Sequence, residues 1–228
     1  MQVNILSGGA AQGLVSALAQ TFKAATGGEI AGTFGAVGAM RDKLLAGAPV
    51  DLLILTRALI DELTVQGHVA AGSAVDIGTV HTAVAIRSSD PGPAVADADG
   101  LCAALRAADS IYFPNPKLAT AGIHFAKVLE RLGIEDGGRF RTFPNGATAM
   151  AALAASTTSR PIGCTQVTEI LNTAGVKLVA PLPAGYELAT IYTAGIASRA
   201  QSPELARQLA GLLSGDAAKA ARAKAGFA

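Results

Sequence analysis

The sequence has 228 residues, 50% of them apolar and 15% charged, with 26 Gly and no Trp. Eighteen Lys and Arg against seventeen Asp and Glu leave a net charge of +1, a field too weak to hold a polyanion, which excludes nucleic acid as a partner. The high apolar content with near-zero net charge also excludes disorder. The mean hydropathy of +0.40 comes largely from Ala, and charges or Gly/Pro breaks interrupt every apolar stretch before the roughly 18 residues that a membrane span needs. A soluble, Ala-rich globular protein with no membrane insertion is expected.

Met1 to Leu6 already reads as a strand, with no basic n-region, apolar h-region or cleavage site ahead of it. A cytoplasmic place is expected for the chain as written, and a periplasmic one if a leader has been removed. Cys102 and Cys164 form neither a framework nor a C-x-x-C pair, and read as buried free thiols, with one bridge open to an exported protein.

In chain order, the apolar run Val3–Leu6 ends in Ser7-Gly8-Gly9-Ala10-Ala11-Gln12-Gly13, and Leu14, Leu18 and Phe22 then recur at helical spacing. Gly27-Gly28 stops that helix, Glu29–Phe34 reads as a strand, and Gly35-Ala36-Val37-Gly38 is a second Gly-rich loop. A helix follows with Met40, Leu44 and Leu45 on one face. Val50–Leu55 is a strand of the kind buried on both sides of a parallel sheet, and Ala58–Gln66 a third helix. Strand, loop and helix in threefold succession predict a doubly wound α/β layer.

A second α/β set spans about 82–187. It holds an alternating strand Val80–Arg87, a helix Gly100–Ala107, and a strand Ser110–Phe113 running into Asn115-Pro116-Lys117. A helix Thr120–Leu132 comes next, with Ile123, Val128 and Leu129 on its apolar side. Then come a short strand Phe140–Phe143, a helix Thr148–Ser156, and strands Pro161–Thr165 and Val176–Val179. Ile191–Ala197 returns to the first set, and 203–224 carries one long amphipathic helix pattern. The expected domains are 1–81 plus 188–228, and 82–187, with a crevice between them where strand ends and helix starts would meet a ligand.

Three strand-to-helix junctions are rich in small residues: Ser7–Gln12, Gly35–Ala39 and Asn115–Gly122. Helix starts with exposed N–H groups favour a small anion. The first junction is neither a Walker A loop, because Leu14 stands where Lys is required, nor a dinucleotide fingerprint. His68, His81 and His124 lie far apart, so no metal site is expected, and no cofactor is implied. His124, one turn into its helix, has the chemistry to donate to an anion or move a proton, or to serve as a structural residue. Lys117 and Arg41 lie near the loops and have the charge to pair with carboxylate, or simply to be solvated. Thr165 and Gln166 follow a buried strand; Gln166 offers both a donor and an acceptor, while Thr165 also reads as a helix N-cap.

The run Val3-Asn4-Ile5-Leu6-Ser7-Gly8-Gly9-Ala10, the Gly47-Ala48-Pro49-Val50-Asp51 segment, Asn115-Pro116 with Ala121-Gly122-Ile123-His124, and Ile162-Gly163-Cys164-Thr165-Gln166 occur in a familiar order. With them the chain resembles the molybdate-binding branch of the type II periplasmic binding proteins. The resemblance implies two α/β lobes joined by a hinge, with an interlobe cleft that closes on a small oxyanion held by N–H and hydroxyl groups. The serines the family carries in its first two loops fall here on Ala10 and on Gly35 to Gly38, and its tyrosine falls on Gln166. Ser7, Thr33, Thr120 and Thr165 are the nearest hydroxyl replacements. The segments Cys164–Leu171 and Ala180-Pro181-Leu182-Pro183 resemble a subgroup that includes aconitate isomerase.

Two functions are therefore expected. In the first, the chain is a substrate-binding protein of ABC-transporter type that holds a small anion, molybdate-like or carboxylate, with an ABC permease as partner. Its ligand groups would be Ser7, Gly9, Ala10, Gly38, Lys117, Thr120, Thr165 and Gln166. In the alternative, it is an isomerase of a small di- or tricarboxylate such as aconitate. There His124 would act as the catalytic proton shuttle and Lys117 or Arg41 would pair with carboxylates.

Overall fold

The computed structural model describes residues 1–228. The chain divides into two compact units, Met1–Val80 with Thr190–Ala228, and His81–Ala189.

In the first unit the strands are β1 (Gln2–Gly8), β2 (Glu29–Gly35), β3 (Leu52–Thr56) and, late in the chain, β9 (Ala189–Ile196). Strand β1 lies between β2 and β3 and is parallel to both, while β9 runs antiparallel on the far side of β3. Helices α1 (Gln12–Thr26), α2 (Val37–Leu45) and α3 (Arg57–Val65) follow the three parallel strands in turn. Side chains alternate across a strand, so Leu6, Leu53 and Leu55 join Met40 of α2 and Ile60 and Leu63 of α3 in one core layer. Helices α1 and α8 (Pro203–Ser214) pack on each other, and α8 also rests on β1 and β3.

Two expectations need correction here. Leu45 is half exposed, because α2 ends there and turns away through Ala46 and Gly47, so of Met40, Leu44 and Leu45 only Met40 is buried. The amphipathic pattern of 203–224 is two helices: Gly215 leaves the helical region at φ −69°, ψ 164°, and α9 (Lys219–Ala225) starts afresh after a 3-10 turn.

The second unit contains most of β4 (Val75–Arg87), β5 (Ser110–Pro114), β6 (Phe140–Phe143), β7 (Pro161–Gln166) and β8 (Val176–Pro181). Strands β6, β5 and β7 are parallel neighbours; β4 is antiparallel to β7 on one side and to β8 on the other. Strand β4 begins five residues before the expected Val80, and Thr82–Ile86 are all buried instead of alternating. The reason is that both faces of this sheet are covered. Helices α4 (Ala98–Ala107) and α5 (Thr120–Arg131) cover Val84, Ile86, Ile111, Phe113, Ile162 and Cys164. Helices α6 (Gly146–Ala154) and α7 (Val167–Leu171) cover Ala83, Ala85 and Tyr112. Burying a side chain such as Phe125 at the centre of α5 contributes about 2–3 kcal/mol, whereas Ile123 on the same helix is exposed. Cys164 is buried and Cys102 half-buried, and both are free thiols. No helix is long and apolar enough to cross a membrane.

Candidate functional site

Helix starts leave N–H groups without intrahelical acceptors, which a side-chain oxygen, water or a ligand can satisfy. In this chain Thr56 caps α3, Asp97 caps α4 and Asn145 caps α6, the last in a reciprocal box with Thr148. The starts after β1, β2 and β5 have no side-chain cap; their cap positions hold Gly8, Ala36 and Ala119. These are the three small-residue junctions singled out in the sequence. Two of them lie in the first unit, at the ends of adjacent parallel strands where Gly8 and Gly35 are register partners. There Ser7 is fully buried and donates its hydroxyl to the Gly8 carbonyl at 2.9 Å. Gly9 stands half-buried and Ala10, Ala36 and Gly38 buried. Thr33, by contrast, is exposed on the outer strand β2 and adds no hydroxyl to this group.

In the second unit the β5–α5 junction is built by Asn115. Its side-chain oxygen accepts from the N–H groups of Lys117 and Leu118, and its carbonyl accepts from Ala119. The first bond of α5 runs from Ile123 N–H to the Ala119 carbonyl, so Thr120, Ala121 and Gly122 precede it. A Cβ on Gly122 would run into the carbonyls of Pro114 and Asn115, so glycine is what lets the loop fold this tightly onto the helix. Lys117 is exposed beside this loop.

Strand β7 ends in Thr165 and Gln166, which alternate across the sheet. Thr165 points to the α6/α7 side, where its hydroxyl donates to Glu169 Oε2 at 2.5 Å. Thr165 is therefore engaged with its own chain, and it is not the N-cap either; Gln166 holds that position, φ −65° and ψ 138°. Gln166 points to the side covered by α4 and α5. It is 2% exposed, and neither its Oε1 nor its Nε2 has a partner. An amide buried in that way costs free energy unless something outside the chain satisfies it.

Glu169, Thr82 and Asn145 are not among the candidate residues that the sequence offers. The Glu169 carboxylate is buried and accepts from Thr165 and from the backbone N–H groups of Gln166, Gly146 and Ala147. Burial pushes its pKa up from the ordinary 4.5, and those four donors oppose the shift. The start of α6 is thus filled by the chain's own anion. The sequence signal is a Glu four residues after a Thr, and its packing partner Gly146 lies 23 residues upstream.

The remaining candidates do not gather with this group. Arg41 bonds the neighbouring Asp42 at the surface. His124 Nε2 lies 2.7 Å from the Tyr186 carbonyl, which only accepts, so that nitrogen carries the proton. Arg131 stacks on the Tyr186 ring, 4.3 Å from its centre, and donates to Gly185. His124 and Arg131 together fasten the 185–186 turn to α5.

The sequence pattern of the family described as bacterial extracellular solute-binding protein matches residues 3–228. The chain belongs to that family. Among curated proteins this solute-binding protein is similar to an aconitate isomerase of Pseudomonas sp., 27% identical over 227 residues, covering 96% of this chain and 84% of the relative. Among solved structures it resembles the periplasmic molybdate-binding protein of Azotobacter vinelandii, with a TM-score of 0.82, 21% identity, and coverage of 99% and 98% of the two chains. The sulfate-binding protein of Mycobacterium tuberculosis gives a TM-score of 0.78 at 16% identity, covering 100% of this chain and 86% of that one. At these identities the likenesses establish the shared α/β binding-protein fold.

Proposed function

We propose that this protein is a binding protein for a small oxyanion or carboxylate. The observation that carries the reading is the distribution of caps. Of the helix starts that lack a side-chain cap, three follow a parallel strand through a small-residue junction, and one of these shares its unit with a buried, unpartnered Gln166. N–H groups at such starts, backed by the helix dipole, are donors suited to a small anion. In the first unit the candidate donors are the N–H groups of Gly9, Ala10 and Gly38, with Ser7 bracing the loop through the Gly8 carbonyl; in the second they are Thr120 and Gln166. Thr165 acts through Glu169 and Lys117 from the rim. A place outside the cytoplasmic membrane and an ABC permease as partner accompany this reading, in keeping with the family's description and with relatives that bind molybdate and sulfate.

A thermal-shift panel of molybdate, tungstate, sulfate, phosphate, citrate and the aconitates, followed by calorimetry on each positive, tests the reading. Ligand at 100 times Kd is expected to add about 2.7 kcal/mol of stability. Gln166→Ala is expected to weaken whichever anion binds by about tenfold, the cost of one good hydrogen bond. No shift with any anion overturns the proposal.

The isomerase relative supports a second reading, turnover of a tricarboxylate. With Nε2 held by Tyr186, His124 would have only Nδ1 left to accept a proton. Conversion of cis-aconitate followed by NMR decides it, and a signal that persists in His124→Ala removes that residue from the role.

A further inference from the structure

Gln166 is not the only orphan at the end of β7. Its register partner on β4 is Thr82, directly opposite on the antiparallel neighbour. Opposed residues share a face, with Cβ atoms about 5 Å apart. Thr82 is 1% exposed, and its hydroxyl also has no partner. Its backbone, in contrast, is satisfied: the N–H donates to Leu188 and the carbonyl accepts from Leu182. The Thr168 hydroxyl, two residues beyond Gln166, is the other unpartnered buried group of this segment.

We propose that Thr82 and Gln166 together read an O–H group on the bound anion. The ligand is then an oxyanion that carries a donor beside its acceptor oxygens: a hydroxycarboxylate or a singly protonated inorganic oxyanion. The inference rests on the anion-binding reading above and narrows its ligand class.

The argument is one of matching donors to acceptors. A fully ionised tetrahedral oxyanion offers acceptors only. It would satisfy Gln166 Nε2 and the Thr82 hydroxyl as donors, but would leave Gln166 Oε1 buried against oxygen lone pairs. A buried acceptor without a donor costs about 1–3 kcal/mol. The chain's own donors do not meet it: Gln166 N–H and the Thr165 hydroxyl are committed to Glu169, and neither the Thr82 nor the Thr168 hydroxyl bonds Oε1. The same carboxylate lies buried one helical turn beyond Gln166, so added negative charge beside the amide is disfavoured. A ligand O–H resolves all of this. It donates to Gln166 Oε1, accepts from the Thr82 hydroxyl, and presents a neutral oxygen to the part of the unit that holds Glu169.

Isothermal calorimetry with the whole chain tests the proposal on two matched pairs: malate against succinate, and phosphate against sulfate. Expected is a preference of about tenfold or more for the O–H-bearing member in at least one pair. The pair that shows it tells the organic from the inorganic source. Thr82→Val, which keeps shape and removes the hydroxyl, and Gln166→Met are each expected to erase most of that preference. Their melting temperatures report whether the fold is intact. Equal or reversed affinities in both pairs overturn the proposal, as does a preference that survives in both folded variants. Binding of molybdate with neither malate nor phosphate bound overturns it while leaving the anion-binding reading standing. No binding of any anion removes both.

Discussion

Thr165 Oγ1 donates to Glu169 Oε2 at 2.5 Å, across one turn of chain, and the same carboxylate collects the N–H groups of Gln166, Gly146 and Ala147. The end of β7, the start of α7 and the start of α6 are thereby fixed to a single buried charge. Its orientation leaves the Gln166 side chain on the opposite face of the strand with nothing in the protein to bond.

That charge makes stability depend on pH in a defined direction. Burial raises the Glu169 pKa in the folded state, so the folded protein holds its proton more tightly than the unfolded chain. Its contribution is full below the ordinary 4.5 and is lost as pH rises from there through the raised value. Urea unfolding of wild type and Glu169→Gln from acid to neutral pH is expected to give a difference that shrinks as pH rises through this window, then levels off. A difference that is flat with pH, or one that grows, contradicts the assignment.

Gly146 sits where any side chain would collide. A Cβ there would overlap the Glu169 carboxylate and the Thr165 hydroxyl, neither of which has room to retreat. Gly146→Ala is expected to cost about 2–3 kcal/mol in chemical denaturation and to weaken anion binding through the displaced Gln166. Gly92→Ala, at an open position, serves as the control.

Asp51 plays the corresponding part in the first unit. It is 1% exposed; one carboxylate oxygen accepts from Asn4 N–H and amide, the other from Gln201 and Ser202 N–H at 2.8 Å each. It thus joins β1 to the start of α8. Asp51→Ala leaves several buried donors unsatisfied and is expected to lower stability by about 3 kcal/mol. Asp51→Asn, which replaces one acceptor with a donor, is expected to lose less than Ala but more than 1 kcal/mol.

His124 separates the two functional readings by a different route. Its bond to the Tyr186 carbonyl is structural, so His124→Ala is expected to destabilise by about 1 kcal/mol. Under the binding reading anion affinity measured by calorimetry is unchanged. Loss of affinity in a variant that keeps its fold would place His124 in the ligand shell instead.

Much of the scaffold was legible in the sequence, because period and punctuation are local properties. Val3–Leu6 followed by glycines, then Leu14, Leu18 and Phe22 at helical spacing, gave strand, turn and helix in the right order. The long pattern at 203–224 misled because amphipathic periodicity runs across a glycine that breaks the backbone without disturbing the spacing. Alternation in Val80–Arg87 misled for a related reason: the residue pattern does not say whether one face of a sheet is covered or both.

The candidate site divides in the same way. Sequence by itself determined the family's fold, the three small-residue helix starts and the presence of an amide at position 166, since each depends on residue type and near neighbours. Only the tertiary structure decided which hydroxyls and charges remain available. Thr165 and Gln166 are adjacent in the chain, yet pleating sends one to Glu169 and leaves the other unpartnered. Thr82 meets Gln166 only through strand register, 84 positions apart in sequence. Hydrogen-bond satisfaction is a property of three-dimensional neighbours, and it is what turns a list of polar residues into a site.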